Sequence, residues 1–280
     1  MPKYPVIKII RSIVSKFRLS RKRPVIVSFT GGMGAQIIST AIYFHLKSQG
    51  YSVFADFRYF EDKDNYKKKY STWEWQLDCF NLSFNNFRSY KITNLTLILG
   101  TYISDGELKT KLAIEALSDV SITSLFYSYT EQFKADILKL KNLNQNLNMQ
   151  FACVHLRRGD YLNVASHIVS ETEFLEAIFR VRHLVNNLII ISDSKVSDSF
   201  KNAIEGNQIN ITYYDSGEIN YALSHYLMTQ ANILICSNSQ FSWTAGKLAH
   251  GLVLVPRKWY GGELDTLETL IHRNSNFFMM

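Results

Sequence analysis

Apolar positions set the first expectation. The run Val25-Ile26-Val27-Ser28-Phe29 is apolar on both faces and stops at Thr30-Gly31-Gly32-Met33-Gly34, a glycine-rich turn signal. Beyond it Ile37, Ile38, Ala41, Ile42, His45 and Leu46 share one face at helical spacing, and Gly50 stops the helix. Residues 51–57 read as a second strand. Strand, glycine turn, helix and strand make a βαβ unit, which implies a parallel sheet.

Residues 58–148 are less regular. Aromatic rings crowd the stretch from Tyr59 to Phe87, and helices are expected at 108–117 and 131–140. The polar, Asn-rich segment 141–150 reads as a linker. The second half alternates cleanly. Strands are expected at 151–156, 187–192, 209–214, 231–236 and 252–255, with helices at about 171–185, 196–205, 220–229 and 242–250. Ser170 and Glu173 form a capping box for the first of these helices. Apolar strands alternating with helices indicate a doubly wound α/β domain. The expected organisation is a leader at 1–23, an N-terminal domain at 24–148, a C-terminal domain at 149–261 and a tail or helix at 262–280. Two Rossmann-like domains would face a cleft, where a two-substrate enzyme is expected to work.

Charge changes this picture at one end only. The net charge is +7, but residues 1–23 carry Lys3, Lys8, Arg11, Lys16, Arg18, Arg21, Lys22 and Arg23 and no acid. The remaining body holds 23 basic and 24 acidic residues, which argues against nucleic acid as a partner. Val6, Ile9, Ile10, Ile13, Val14 and Phe17 recur at helical spacing between the cations. The leader therefore reads either as a basic amphipathic helix on an anionic membrane face or as a solvated extension. No run approaches the roughly 20 apolar residues that span a bilayer. Cys79, Cys153 and Cys236 show no metal or disulfide spacing; Cys153 and Cys236 read as small buried hydrophobes, and a reducing, cytoplasmic setting is expected.

Candidate chemistry gathers at strand ends. His155-Leu156-Arg157-Arg158-Gly159-Asp160 follows the apolar run 151–154, at the edge where open parallel sheets bind ligands. Two adjacent arginines suit a pyrophosphate, or pair structurally with an acid. Ser237-Asn238-Ser239 closes another strand ahead of a helix starting near Phe241; Ser239 is a natural N-cap, and first-turn amides can hold phosphate. Asp193 ends a third strand and would accept from a ribose or guanine, or cap the next helix. Gly32 and Gly34 allow close backbone approach to a ligand. With Asp56 as a ribose contact they also form a partial dinucleotide fingerprint that lacks its third glycine. Asp62-Lys63-Asp64 is formally a D-x-D but reads as a solvated loop, so no metal is expected. Trp73 and Trp75 offer faces to a pyranose, or pack in the core.

These segments together resemble the bacterial α-1,2-fucosyltransferases of glycosyltransferase family 11. Gly31-Gly32-Met33-Gly34-Ala35-Gln36 is similar to the family's GG-L-G-N-Q opening, and Trp75-Gln76-Leu77-Asp78-Cys79-Phe80-Asn81 to its aromatic-x-LD-x-F-N segment. The run 155–160 matches H-x-R-R-x-D. Ser237-Asn238-Ser239-Gln240-Phe241-Ser242-Trp243 resembles S-N-S-x-F-S-W-W, and Pro256 and Trp259 fall at its P-x-x-W. Two positions depart: Ala35 replaces an Asn expected near the donor phosphates, and Thr244 replaces the second Trp.

The resemblance implies a GT-B fold, GDP-fucose as donor, inversion at the anomeric carbon and no required cofactor or metal. It assigns catalysis to Arg157, His155 and Asp160. The donor site would comprise Gly32, Gly34, His155, Arg157, Asp193, Ser237, Asn238, Ser239 and Phe241, and the acceptor side Trp73, Trp75 and Asp56. The partners implied are a GDP-sugar and an oligosaccharide acceptor on a bacterial surface glycan. A transferase using another GDP-sugar and a non-catalytic glycan- or nucleotide-binding relative stand as alternatives.

Overall fold

The computed structural model describes residues 19, 21–61, 74–89, 100–104, 106–159, 161, 167–205, 209–257 and 276–280. Most of the leader, the Asp62-Lys63-Asp64 segment, Trp73, Asp160 and Trp259 lie outside these residues. The chain divides at Ser128 and Tyr129 into two compact units.

The first unit is built on a parallel sheet of order β2-β1-β3, from β1 (Val25–Ser28), β2 (Val53–Asp56) and β3 (Thr101–Ile103). Val25 aligns with Val53 on one side and Thr101 on the other, so β1 is central and wholly buried. That explains its unbroken apolar run, because a parallel strand is covered on both faces. Helix α1 (Met33–Ser48) crosses between β1 and β2 and buries Ile37, Ile38, Ala41, Ile42 and Leu46, the face its spacing indicated. Gly31 and Gly50 bracket it with φ of 71° and 81°, backbone that only glycine adopts without strain. Strand β3 was not expected. Its three residues, Thr101-Tyr102-Ile103, are too few to show a period of two.

The second unit opens with α3 (Glu131–Leu143), following α2 (Glu107–Ala116) of the first. Its sheet is parallel throughout, of order β6-β5-β4-β7-β8-β9. The strands are β4 (Phe151–Leu156), β5 (Asn187–Ser192), β6 (Asn210–Tyr214), β7 (Ile233–Ile235), β8 (Leu252–Val255) and β9 (Phe277–Met279). Helices α4 (Glu171–Val181), α5 (Asp198–Ile204), α6 (Tyr221–Gln230) and α7 (Gln240–Leu248) alternate with them. Ser170 and Glu173 make both bonds of the capping box. Val154, Leu156, Leu188 and Ile190 pack with Phe174, Ile178 and Phe200 of α4 and α5 on one face. Burying Phe174 and Phe200 fully contributes roughly 1.5–3 kcal/mol each. The opposite face carries α6, which packs on β4 and α7.

The expected α/β class and two Rossmann-like units are present. One expectation is corrected. Segment 141–150 is not a free linker: it completes α3 and a 3₁₀ turn (Gln145–Asn148), and Asn144 Nδ2 donates to Thr212 Oγ1 and Tyr214 Oη at 3.2 Å each. The unit boundary accordingly falls about twenty residues earlier than expected. Of the tail or helix expected at 262–280 only 276–280 are among the described residues, and there Phe277–Met279 adds an edge strand to β8, with Phe277 buried. All three cysteines are free, and Cys153 and Cys236 are fully buried.

Candidate active site

Strand order places the site. The chain leaves β4 for β5 on one side and returns through β7 on the other, so the C-terminal ends of β4 and β7 flank a topological switch point. Residues 155–159 emerge there from β4, and 236–241 emerge from β7.

His155 is the buried anchor. Its Nδ1 lies 2.9 Å from Ser237 Oγ, while Ser237 Oγ and Ser242 Oγ are 3.4 Å apart. Ser242 donates to the Ser237 carbonyl at 3.1 Å. Giving the Ser237 proton to the shorter contact makes Nδ1 the acceptor and leaves the N–H on Nε2. Burial, aided by the nearby Arg157 and His225, pushes the imidazole down to about 3, so it is neutral at physiological pH. Phe241 lies between two histidine rings, with centroids 5.4 Å from His155 and 5.3 Å from His225.

The serine turn is spent on structure as well as on the site. Ser239 Oγ caps α7 by accepting the Phe241 N–H at 3.1 Å, and Asn238 is buried in the turn. Thr244, at the departure from the family pattern, is fully buried and faces inward. Its hydroxyl donates to the Phe241 carbonyl at 3.0 Å, so it accepts from His225 Nε2 at 3.2 Å.

Arg157 and Arg158 separate, as neighbours on an extended segment do. Arg157 Nη1 meets Asp193 Oδ2 at 2.9 Å, and its guanidinium lies 5.2 Å from the ring centre of Tyr161. Asp193 Oδ1 accepts the main-chain N–H of Arg158 at 2.7 Å and of Gly159 at 3.1 Å. Arg158 instead turns to Glu171 Oε1 at 3.3 Å, beside Ser197, which donates to the same oxygen at 3.0 Å. Arg158, Glu171, Ser194, Lys195 and Ser197 line a small adjoining cavity of about 210 Å³. The structure therefore brings His155, Arg157, Asp193, Ser237, Asn238, Ser239 and Phe241 together. Sequence reasoning assigned no site role to Tyr161, His225 or Ser242: His225 arrives from α6, which nothing local marks, whereas Tyr161 and Ser242 stand beside or within the motifs already singled out.

The first unit holds the remaining candidates. Gly32 is the N-cap of α1, and Gly34 is buried in its first turn. Asp56 is buried at the end of β2. Its Oδ1 accepts Arg58 N and Nε at 3.1 and 2.9 Å; its Oδ2 accepts Arg58 Nη2 at 2.7 Å and Tyr102 Oη at 2.6 Å. Burial raises this carboxyl, but the bonds from Arg58 and Tyr102 outweigh it and hold it below the ordinary range. Its acceptor capacity is met within the chain, which corrects the expectation of a carboxylate open to an acceptor sugar or a ribose. Trp75 is half-buried among Phe29, Phe57, Phe60, Phe84 and Phe87 at centroid distances of 4.6–6.2 Å, so its ring packs in an aromatic cluster. Among the described residues no group of three or more His, Cys, Asp or Glu is placed to hold a metal ion, and no helix is long and apolar enough to cross a membrane.

Residues 124–274, more than half of the chain, match the model of glycosyl transferase family 11. No curated protein matches the chain. Among solved structures, POFUT1 in complex with GDP is 13% identical, with 84% of this chain and 97% of that one covered and a TM-score of 0.44. POFUT1 in complex with GDP-fucose is 11% identical, covering 83% and 96%, with a TM-score of 0.41. A mutant of Arabidopsis thaliana FUT1 in complex with GDP is 11% identical, covering 91% and 75%, with a TM-score of 0.45.

Proposed function

The chain belongs to glycosyl transferase family 11, and we propose that it transfers L-fucose from GDP-fucose, with inversion, to O-2 of a galactose in a bacterial surface glycan. The observation that carries this reading is the Arg157 guanidinium, fixed by Asp193 at the switch point two residues beyond the neutral His155. Breaking the sugar–phosphate bond leaves new charge on the β-phosphate of GDP. Arg157 offers a planar cationic fork to that charge, and His155 offers a neutral N–H donor. Such charge-assisted bonds are each worth about 1.5–3 kcal/mol. A base must also take the acceptor proton; Asp160 of the same motif or another acid of the chain fills that role.

GDP is the leaving group, and Arg157 supplies a cation to its diphosphate, so the reaction is proposed to run without metal. Ala35 favours a second reading, a transferase for another GDP-sugar, because it removes a side chain the family places near the phosphates. The leader at 1–23 is proposed to hold the enzyme against the cytoplasmic face of an anionic membrane.

Thermal stabilisation by GDP, UDP, ADP and NAD, each with and without EDTA, tests the donor. Stabilisation by GDP alone, unchanged by EDTA, is the expected result. A response to NAD, or loss of the GDP response on chelation, overturns the reading. Transfer from GDP-fucose against GDP-mannose then separates the two donors. Co-sedimentation with anionic vesicles, full-length against a chain lacking 1–23, tests the leader; equal binding removes the membrane role.

A further inference from the structure

Asp193 does three things with one carboxylate. Oδ1 takes the consecutive main-chain N–H groups of Arg158 and Gly159, and Oδ2 takes the Arg157 guanidinium. The backbone of the loop and the charge of its first residue are therefore set by the same side chain, from the end of the neighbouring strand β5. We propose that Asp193 is the positioning residue of the anion site: it preorganises the loop and Arg157 as one unit before the ligand arrives. This rests on the reading of that site as a diphosphate site.

Gly159 supplies independent support. A Cβ at this position would stand 2.6 Å from Asp193 Oδ2 and 3.2 Å from its Cγ. The glycine is needed for close approach, which is what the two amide bonds on Oδ1 demand. The count of acceptors also separates positioning from base recognition. An ionised carboxylate has about four acceptor sites. Three are taken by the loop and Arg157, leaving one, whereas the edge of a guanine presents two adjacent donors.

The test uses the full chain with Asp193→Asn, Asp193→Ala, Gly159→Ala and the Asp193→Ala/Gly159→Ala pair. Calorimetry measures GDP, inosine diphosphate and inorganic pyrophosphate; turnover is read with GDP-fucose, and folding by thermal melts. Asp193→Ala lowers kcat/KM on the order of 10²-fold through misplaced Arg157. Asp193→Asn keeps an oxygen for both amides and loses only about 10-fold. Affinity falls by the same factor for all three anions, because the defect lies at the phosphates. Gly159→Ala costs as much as Asp193→Ala alone but adds nothing in the double variant, since the atom it would strike is gone.

A loss confined to GDP, or additive effects of the two substitutions, overturns the proposal in favour of direct base contact. Wild type that binds GDP alongside variants that bind it equally well also overturns it, with the donor reading intact. Wild type that binds none of the three anions removes the diphosphate reading and the proposal with it. Where Asp193→Ala fails to fold, Asp193→Asn decides: an equal loss across the three anions supports positioning, and no loss refutes it.

Discussion

Gln36 and Gln76 latch two distant segments together. Gln36 Oε1 accepts the Gln76 N–H at 2.8 Å, and Gln76 Oε1 accepts the Met33 N–H at 2.6 Å, capping α1. Gln36 Nε2 donates to the carbonyls of Gly31 and Glu74 at 2.9 and 2.8 Å. The glycine turn and the segment beginning at Trp75 are therefore one physical unit, although forty residues separate the two glutamines. Gln36→Leu strands one buried amide and two partly buried carbonyls. At about 1–3 kcal/mol for each unsatisfied group, partly relieved by water, a loss of about 3 kcal/mol is expected in urea unfolding. A loss under about 1 kcal/mol would mean that the latch contributes little.

Arg157 should matter more in the transition state than in the ground state, because the β-phosphate gains charge as the sugar leaves. Arg157→Ala is expected to lower kcat/KM by on the order of 10²–10⁴, and Arg157→Lys not to restore it, since the fork is lost. Arg158→Ala should act mainly on stability, its partner being Glu171 at the start of α4. Near-normal turnover of Arg157→Ala with a normal melting profile removes Arg157 from the donor site.

His155 and His225 make stability pH-dependent with a definite sign. Burial pushes both down to about 3, from an ordinary value of 6.5. Below pH 6.5 the unfolded chain takes up two protons that the folded chain refuses. Their contribution is complete above that pH and declines as pH falls toward 3, by up to about 1.4 kcal/mol per unit for each histidine. His225→Gln should flatten the slope between pH 6 and 4 in denaturant titrations. An unchanged slope would mean that His225 protonates in the folded state. Since His155 stays neutral, kcat/KM should show no inflection near pH 6.5 from this ring.

Thr244 tests how the departure from the family pattern is accommodated. Thr244→Val removes the acceptor for His225 Nε2 and is expected to cost about 1–3 kcal/mol. Thr244→Trp restores the family residue but forces a large ring into a fully buried position, and should destabilise more. A higher Tm for Thr244→Trp would show that the pocket around His225 was built for the larger side chain.

Much of the second unit follows from local pattern. Strands 151–156, 187–192 and 252–255 coincide with their apolar runs, and Ser170 with Glu173 marks the start of α4, because strand burial and helix capping act over a few residues. His155, Arg157 and Ser239 were legible as candidates for the same reason: each sits where an apolar run stops. Tertiary structure alone decided what these side chains do. Asp193 could have capped its own helix, but the approach of β4 turned it onto the arginine loop. Asp56 could have faced a ligand, but Arg58 and Tyr102 of β3, a strand too short to announce itself, saturate it. Trp75 packs into an aromatic cluster because Phe29, Phe57, Phe60, Phe84 and Phe87 bring their rings to it. The polar segment 141–150 became structure because Asn144 found hydroxyls on β6. In each case the partner is tens of residues away, and a hydrogen bond or ring contact depends on distance in space, which periodicity along the chain does not encode.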